Sequence, residues 1–237
     1  MFSNVLSKDA WISAWEIVKS DFLYATWETI YVTAVATFFA VLIGLPIGII
    51  LVAGDKNGVL PIPKWLLKVL NVIINILRSV PFLILMMLAI PLTRALVGTS
   101  VGTPASIVPL VVASFPFVAR LVESSLREVD KNVIEAVQSM GATPLQIIFK
   151  VMIPESLPSL INNLAVAMTT ILGYSAMGGA MGGGGLGNVA IMQGYYRYQY
   201  PIMILAVAVL VVIVQLIQSA GTLVAKKVDK RLKNASK

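Results

Sequence analysis

The run YVTAVATFFAVLIGLPIGIILVA, Tyr31 to Ala53, contains no charged residue. A helix needs about 20 apolar residues to cross the roughly 30 Å of bilayer hydrocarbon. Inside lipid only a helix or a closed barrel satisfies its own backbone hydrogen bonds. Four further runs follow, at Val69–Leu92, Ile107–Val122, Leu157–Tyr174 and Ile202–Val224; the third is short and interrupted by Pro109 and Pro116. The pattern predicts an all-α fold, a polytopic transmembrane bundle of about five spans. Composition agrees: 58% of the residues are hydrophobic and 12% charged, where soluble chains average about a quarter charged.

The chain has no cysteine and no histidine. That removes thiolate metal sites, disulfides and a cysteine nucleophile, together with the usual metal ligand and near-neutral general base. No catalytic residue and no metal site is expected. A net charge of +7 could suggest nucleic acid, but the basic residues flank the apolar runs, so the expectation is no nucleic-acid partner. Placing the N-terminus outside leaves fourteen Lys and Arg on inner segments (Lys56, Lys64, Lys68, Arg78, Arg120, Arg127, Lys131, Lys150, Lys226, Lys227, Lys230, Arg231, Lys233, Lys237) and four outside (Lys8, Lys19, Arg94, Arg197). The positive-inside rule therefore predicts N-out, C-in. No cleavable signal peptide is expected in residues 1–25, where Lys8, Asp9, Glu16, Lys19 and Asp21 interrupt any apolar core. Trp11, Ile12, Trp15, Ile17 and Val18 suit either an amphipathic helix on the membrane surface or a packed extension. Lys226 to Lys237 reads as a basic tail on the inner leaflet.

Between the third and fourth runs lies EAVQSMGATPLQIIFKVMIP, Glu135 to Pro154. Asp130 is a suitable N-cap for a helix over Lys131–Met140, and Gly141 suits the left-handed C′ position that ends it. Thr143 then caps a second helix whose first residue, Pro144, lacks only an amide that would have no partner anyway. Pro154 and Pro158 mark the return to the membrane. Ala136, Ser139, Gly141, Ala142 and Thr143 leave backbone accessible, and Val137, Met140, Leu145 and Ile148 add apolar surface. Two readings fit, a docking surface or a helix folded back on its own bundle.

Glu135, Ala136, Val137, Gly141, Val151, Ile153 and Pro154 resemble, at intact spacing, the Glu-Ala-Ala-x3-Gly-x9-Ile-x-Leu-Pro signature of ABC importer permeases. Val137, Val151 and Ile153 depart from it conservatively. The stretches NILRSVPFLILMMLAIPLTRALVGTSVG (75–102) and LGYSAMGGAMGGGGLG (172–187) are similar to permeases of bacterial methionine importers. The resemblance covers roughly Ala25 to Val224. It implies a type I importer transmembrane domain over 26–225, with an extension at 1–25, a coupling loop at 126–156 and a tail at 226–237. It also implies a homodimer in the bacterial cytoplasmic membrane, two cytoplasmic ATP-binding subunits and an extracytoplasmic binding protein. ATP and Mg would sit on the partner ATPase, with no cofactor on this chain. Glu135, Ala136, Gly141, Ala142, Thr143 and Pro144 would be the coupling residues.

The glycine cluster GGAMGGGGLG lacks the Gly-Lys-Ser/Thr and the preceding strand of a phosphate loop. It reads instead as a flexible, close-packed turn at the outer end of the fourth span. Met177 and Met181, with Tyr174 and Ser175, are candidates for a gate or a substrate contact, or fill gaps. Arg78 reads as an interfacial Arg near the inner end of the second span or as a pathway residue. Arg120 and Glu123, three apart, are expected to pair. The functional expectation is the membrane subunit of an ATP-driven methionine importer working by alternating access. The alternatives are a permease for another amino acid or sulfur compound, and an ion-coupled secondary transporter or channel. The last of these calls for ionisable residues deep in the spans, whereas the acidic residues lie at span ends or in loops.

Overall fold

The computed structural model describes residues 11–12, 21–56 and 58–229. Most of the N-terminal extension and residues 230–237 lie outside the described residues. All regular structure described is helical. The order is α1 (Leu23–Ala53), α2 (Lys64–Ser79), α3 (Phe82–Leu88), α4 (Ile90–Val97), α5 (Thr103–Arg127), α6 (Lys131–Ser139), α7 (Pro144–Ile147), α8 (Ile153–Gly178), α9 (Gly185–Asn188) and α10 (Tyr200–Val228). A π-turn, Ile148–Met152, joins α7 to α8, and another, Val189–Tyr195, extends α9.

Among the described residues, four helical runs have the length and apolarity to cross a membrane: Leu23–Ala53, Thr103–Arg127, Pro144–Met181 and Tyr200–Val228. A fifth would be the bent pair α2 and α3, which meet at 108°. The single helix expected over Val69–Leu92 is thus broken. Val80 and Pro81 are both extended, with ψ of 127° and 138°, and Arg78 lies in the last turn of α2, at the break rather than at a span end.

Other prolines break nothing. Pro109 and Pro116 lie within continuous α5, and Pro158 lies within α8. No helix break marks Pro154 or Pro158 either, because α7 passes through the π-turn directly into α8. In that turn the Ile153 amide donates to the Ile148 carbonyl, five residues back. Lys226 and Lys227 occupy the last turn of α10, so the helix outruns the expected start of the tail.

The chain divides into two compact units. One comprises Met1–Phe38, Pro81–Ala113 and Met168–Ile217. Its core gathers Phe22, Ala25, Leu186, Val189, Ala190, Ile202 and Ala206. The other comprises Phe39–Val80, Ser114–Ala167 and Gln218–Lys237, with Leu51, Ile74 and Ala119 in a buried apolar cluster. In this second unit Gly44 and Gly48, one turn apart on α1, meet α5 closely. A Cβ on Gly48 would lie 2.6 Å from Val122 Cβ and 2.7 Å from the Ala119 carbonyl oxygen. Small residues at such spacing allow helix backbones to approach where lipid offers no hydrophobic drive for association.

Candidate functional site: the capped loop and the glycine turn

The loop after α5 is built by local hydrogen bonds. Asp130 accepts the Asn132 amide at 2.9 Å and so starts α6. The helix ends at Ser139, and Gly141 follows at φ +82°. An L side chain is disfavoured there because its Cβ crowds the next carbonyl. Its amide donates to the Gln138 carbonyl, and that of Ala142 to Val137. Thr143 and Gln146 then form a reciprocal capping box: the Gln146 amide donates to the Thr143 hydroxyl at 3.4 Å, and the Thr143 amide to Gln146 Oε1 at 3.0 Å. Pro144 is the first residue of α7. Gln146 is a capping partner that the sequence reading missed; the Thr-x-x-Gln spacing was the available signal.

All six expected coupling residues fall in this loop. Glu135, Ala136, Gly141 and Thr143 are exposed, while Ala142 and Pro144 are half-buried. The apolar surface is larger than expected in one direction and smaller in another. Met140 is 81% exposed and Leu145 and Phe149 are each 62% exposed, but Ile148 is buried and Val137 half-buried. Leu145 and Phe149 are four apart and share a helix face; Ile148 turns inward with Ile147.

The same unit carries a polar network. Arg120 donates to Glu123 at 2.5 Å, as expected, and also to Asn71 at 2.7 Å and Asn75 at 2.9 Å. Arg127 bridges Glu123 and Asp55, each at 3.0 Å. The Lys56 amide also donates to Asp55, at 2.8 Å. This bond and the Arg127 guanidinium hold the Asp55 carboxyl below the ordinary carboxylate range. Ser125 is fully buried among α5 and α8 polar groups, accepting from Ser159 at 3.1 Å and Asn163 at 2.7 Å.

In the other unit, the expected gate residues lie together around the C-terminal end of α8. Tyr174 stacks on Phe82 with ring centroids 4.5 Å apart. Tyr174, Ser175 and Met181 are half-buried, and Met177 is 49% exposed. The glycine turn is close-packed, as expected, but it is tied rather than loose. The Gly183 amide donates to Gly178 O at 3.1 Å, Asn188 Nδ2 to Gly179 O at 3.0 Å, and the Gly102 amide to Gly182 O at 2.9 Å. A Cβ on Gly179 would collide with Gly187 and Asn188 backbone, which accounts for the residue type. Two α1 residues absent from the sequence reading complete the arrangement. Glu28 accepts the Gly185 amide at 2.9 Å, and Thr29 accepts the Leu186 amide at 2.8 Å.

Helical runs of spanning length, a shaped loop with apolar surface and a tied turn of glycines fit a polytopic membrane transport subunit. A family model describing the inner membrane component of binding-protein-dependent transport systems matches residues 44–234, and the chain belongs to that family. It is 49% identical over 222 residues, covering 93% of this chain and 98% of the relative, to a Vibrio cholerae protein described as a probable D-methionine transport system permease, MetI. Among solved structures, it is similar to a chain of the MetNI methionine ABC transporter in an inward-facing conformation. The TM-score is 0.86 at 44% identity, covering 88% of this chain and 96% of that one. A chain of an amino acid ABC transporter shares the fold at a TM-score of 0.73 and 22% identity, covering 90% and 97%.

Proposed function

We propose that this chain moves methionine into the cytoplasm as the membrane-spanning subunit of an ATP-driven importer. Two copies would assemble with two cytoplasmic ATPase subunits and receive substrate from an extracytoplasmic binding protein. The N-terminus faces out and the C-terminus in. L-methionine is the principal cargo in this reading, with D-methionine or derivatives as further candidates.

The observation that carries the coupling role is the α6–α7 loop. It is rigidly capped at both helices, yet it presents Met140, Leu145 and Phe149 to solvent. A cytoplasmic loop with no partner would leave that apolar area in water at about 25 cal/mol per Å². An ATPase cleft that receives the loop removes this cost and gives nucleotide-driven motion a grip on the permease. Glu135, Ala136, Gly141, Ala142, Thr143 and Pro144 form the contact strip. ATP and Mg act on the partner, and this chain contributes the path and its gate. Met177 and Met181, beside Tyr174 and Ser175, supply polarizable, adaptable groups suited to closing on one another or to touching a thioether.

The deciding experiment reconstitutes the chain in liposomes with and without the ATPase and measures uptake across a panel of amino acids. Uptake of methionine that requires the ATPase and the binding protein is expected. Uptake by the chain alone refutes the ATP-driven reading, and preference for another amino acid refutes the substrate assignment.

A further inference from the structure

The helical run that begins at Gly185 starts without a cap of its own. Its N-cap is Gly184, at φ +74°, which has no side chain to offer the first amides. The amides at a helix start need acceptors, and buried ones left unpaired are costly. Here both acceptors come from α1, far away in sequence. The Glu28 carboxylate takes the Gly185 amide, and the Thr29 hydroxyl takes the Leu186 amide while donating to Ala25 O at 2.9 Å. The second Glu28 oxygen accepts the hydroxyl of Thr103, the first residue of α5. Three elements of one unit thus converge on a single carboxylate. No side chain fits between them: a Cβ on Gly184 would lie 2.6 Å from the Thr103 hydroxyl, and one on Gly185 2.6 Å from the Thr29 hydroxyl.

We propose that Glu28, seconded by Thr29, is the positioning residue of the outer gate. It fixes the start of α9 and thereby the glycine turn that follows Met177 and carries Met181. Releasing the two amides lets that turn part from α1 and α5. The clasp does not touch substrate; it sets how often the gate opens. This rests on the reading of Met177 and Met181 as gate residues, and the test separates the two.

The absence of native cysteine makes Met177→Cys a clean reporter in the complex reconstituted with its ATPase, labelled from outside by a membrane-impermeant thiol reagent. Glu28→Ala is expected to raise the labelling rate about tenfold, the scale of a lost cap. Glu28→Gln keeps an oxygen for the Gly185 amide and turns its NH2 toward the Thr103 oxygen, so its rate stays within about twofold of the parent. A defect of general folding would not be rescued in this way. Should Glu28→Ala fail to assemble, Thr29→Val frees the Leu186 amide at constant shape and is expected to raise labelling in the same direction. Parental rates in Glu28→Ala and Thr29→Val, while nucleotide still changes labelling of Met177→Cys, overturn the clasp and spare the gate. If Glu28→Gln labels as fast as Glu28→Ala, the acceptor role is refuted. Labelling indifferent to nucleotide in the parent overturns the gate reading itself.

Discussion

Gly141 separates backbone strain from docking, because the two costs can be read one at a time. Its φ is +82°, and a Cβ built there meets nothing within 4 Å. Any L residue therefore pays for the left-handed conformation, about 1–2 kcal/mol, while its Cβ meets no neighbour within the permease. Gly141→Ala and Gly141→Trp should lower the thermal midpoint of the isolated permease by nearly the same amount. Gly141→Asn, which tolerates this conformation, should lower it less. On the ATPase the two larger changes diverge. An indole beside exposed Met140 and Leu145 occupies the surface proposed to enter the cleft, and a misfit at an interface centre costs at least about 2 kcal/mol, or roughly thirtyfold in affinity. Binding of purified ATPase to each variant in detergent, with midpoints measured in parallel, gives both numbers. Equal loss of ATPase by the Ala and Trp variants would reduce the effect to backbone strain. Parental binding by the Trp variant would refute the docking role.

Two further outcomes follow from the second unit. Gly48→Ala should destabilise the permease by about 1–3 kcal/mol through overpacking, and Val122→Ala should not rescue it, because the clash is with Val122 Cβ and the Ala119 carbonyl oxygen; rescue in a denaturant titration would show that the contact is softer than the backbone geometry requires. Asp55, held below its ordinary range by the Lys56 amide and Arg127, contributes stability that is present above its unfolded pKa of about 4 and is lost as pH falls through the lower folded value. Its pairing is partly exposed, so the increment should stay under about 1 kcal/mol, and Asp55→Asn should flatten the corresponding part of a midpoint-versus-pH curve.

The capped loop was legible in the sequence because its signals are short-ranged. Asp130, Gly141 and the Thr143-Pro144 pair act on amides within a few residues, so residue type alone dictates the outcome. The prolines were less legible for the opposite reason. Pro81 lies in a break while Pro109, Pro116 and Pro158 ride within helices, and whether a freed carbonyl is tolerated depends on its surroundings, which no local pattern records. Ile148, expected at the surface, is buried, and the exposed apolar stripe runs instead from Leu145 to Phe149, at i+4. Glu28 gave no sign at all. Its partners, Thr103 and Gly185, stand 75 and 157 residues away, and near the start of a span a carboxylate looks like a boundary marker.

Those separations also bear on biogenesis. The amides that Glu28 and Thr29 receive belong to residues synthesised 157 positions later, at about 5–20 residues per second. For many seconds the Glu28 carboxylate lacks the Gly185 amide and has at most the Thr103 hydroxyl, made 75 positions after it, so the glycine turn is among the later parts of the chain to acquire its shape. On the gate reading proposed above, a nascent permease lacks this tie until Gly185 and Leu186 have been made. Cells that overproduce it under slowed elongation should accumulate leaky or protease-sensitive intermediates whose ends fall before Gly185.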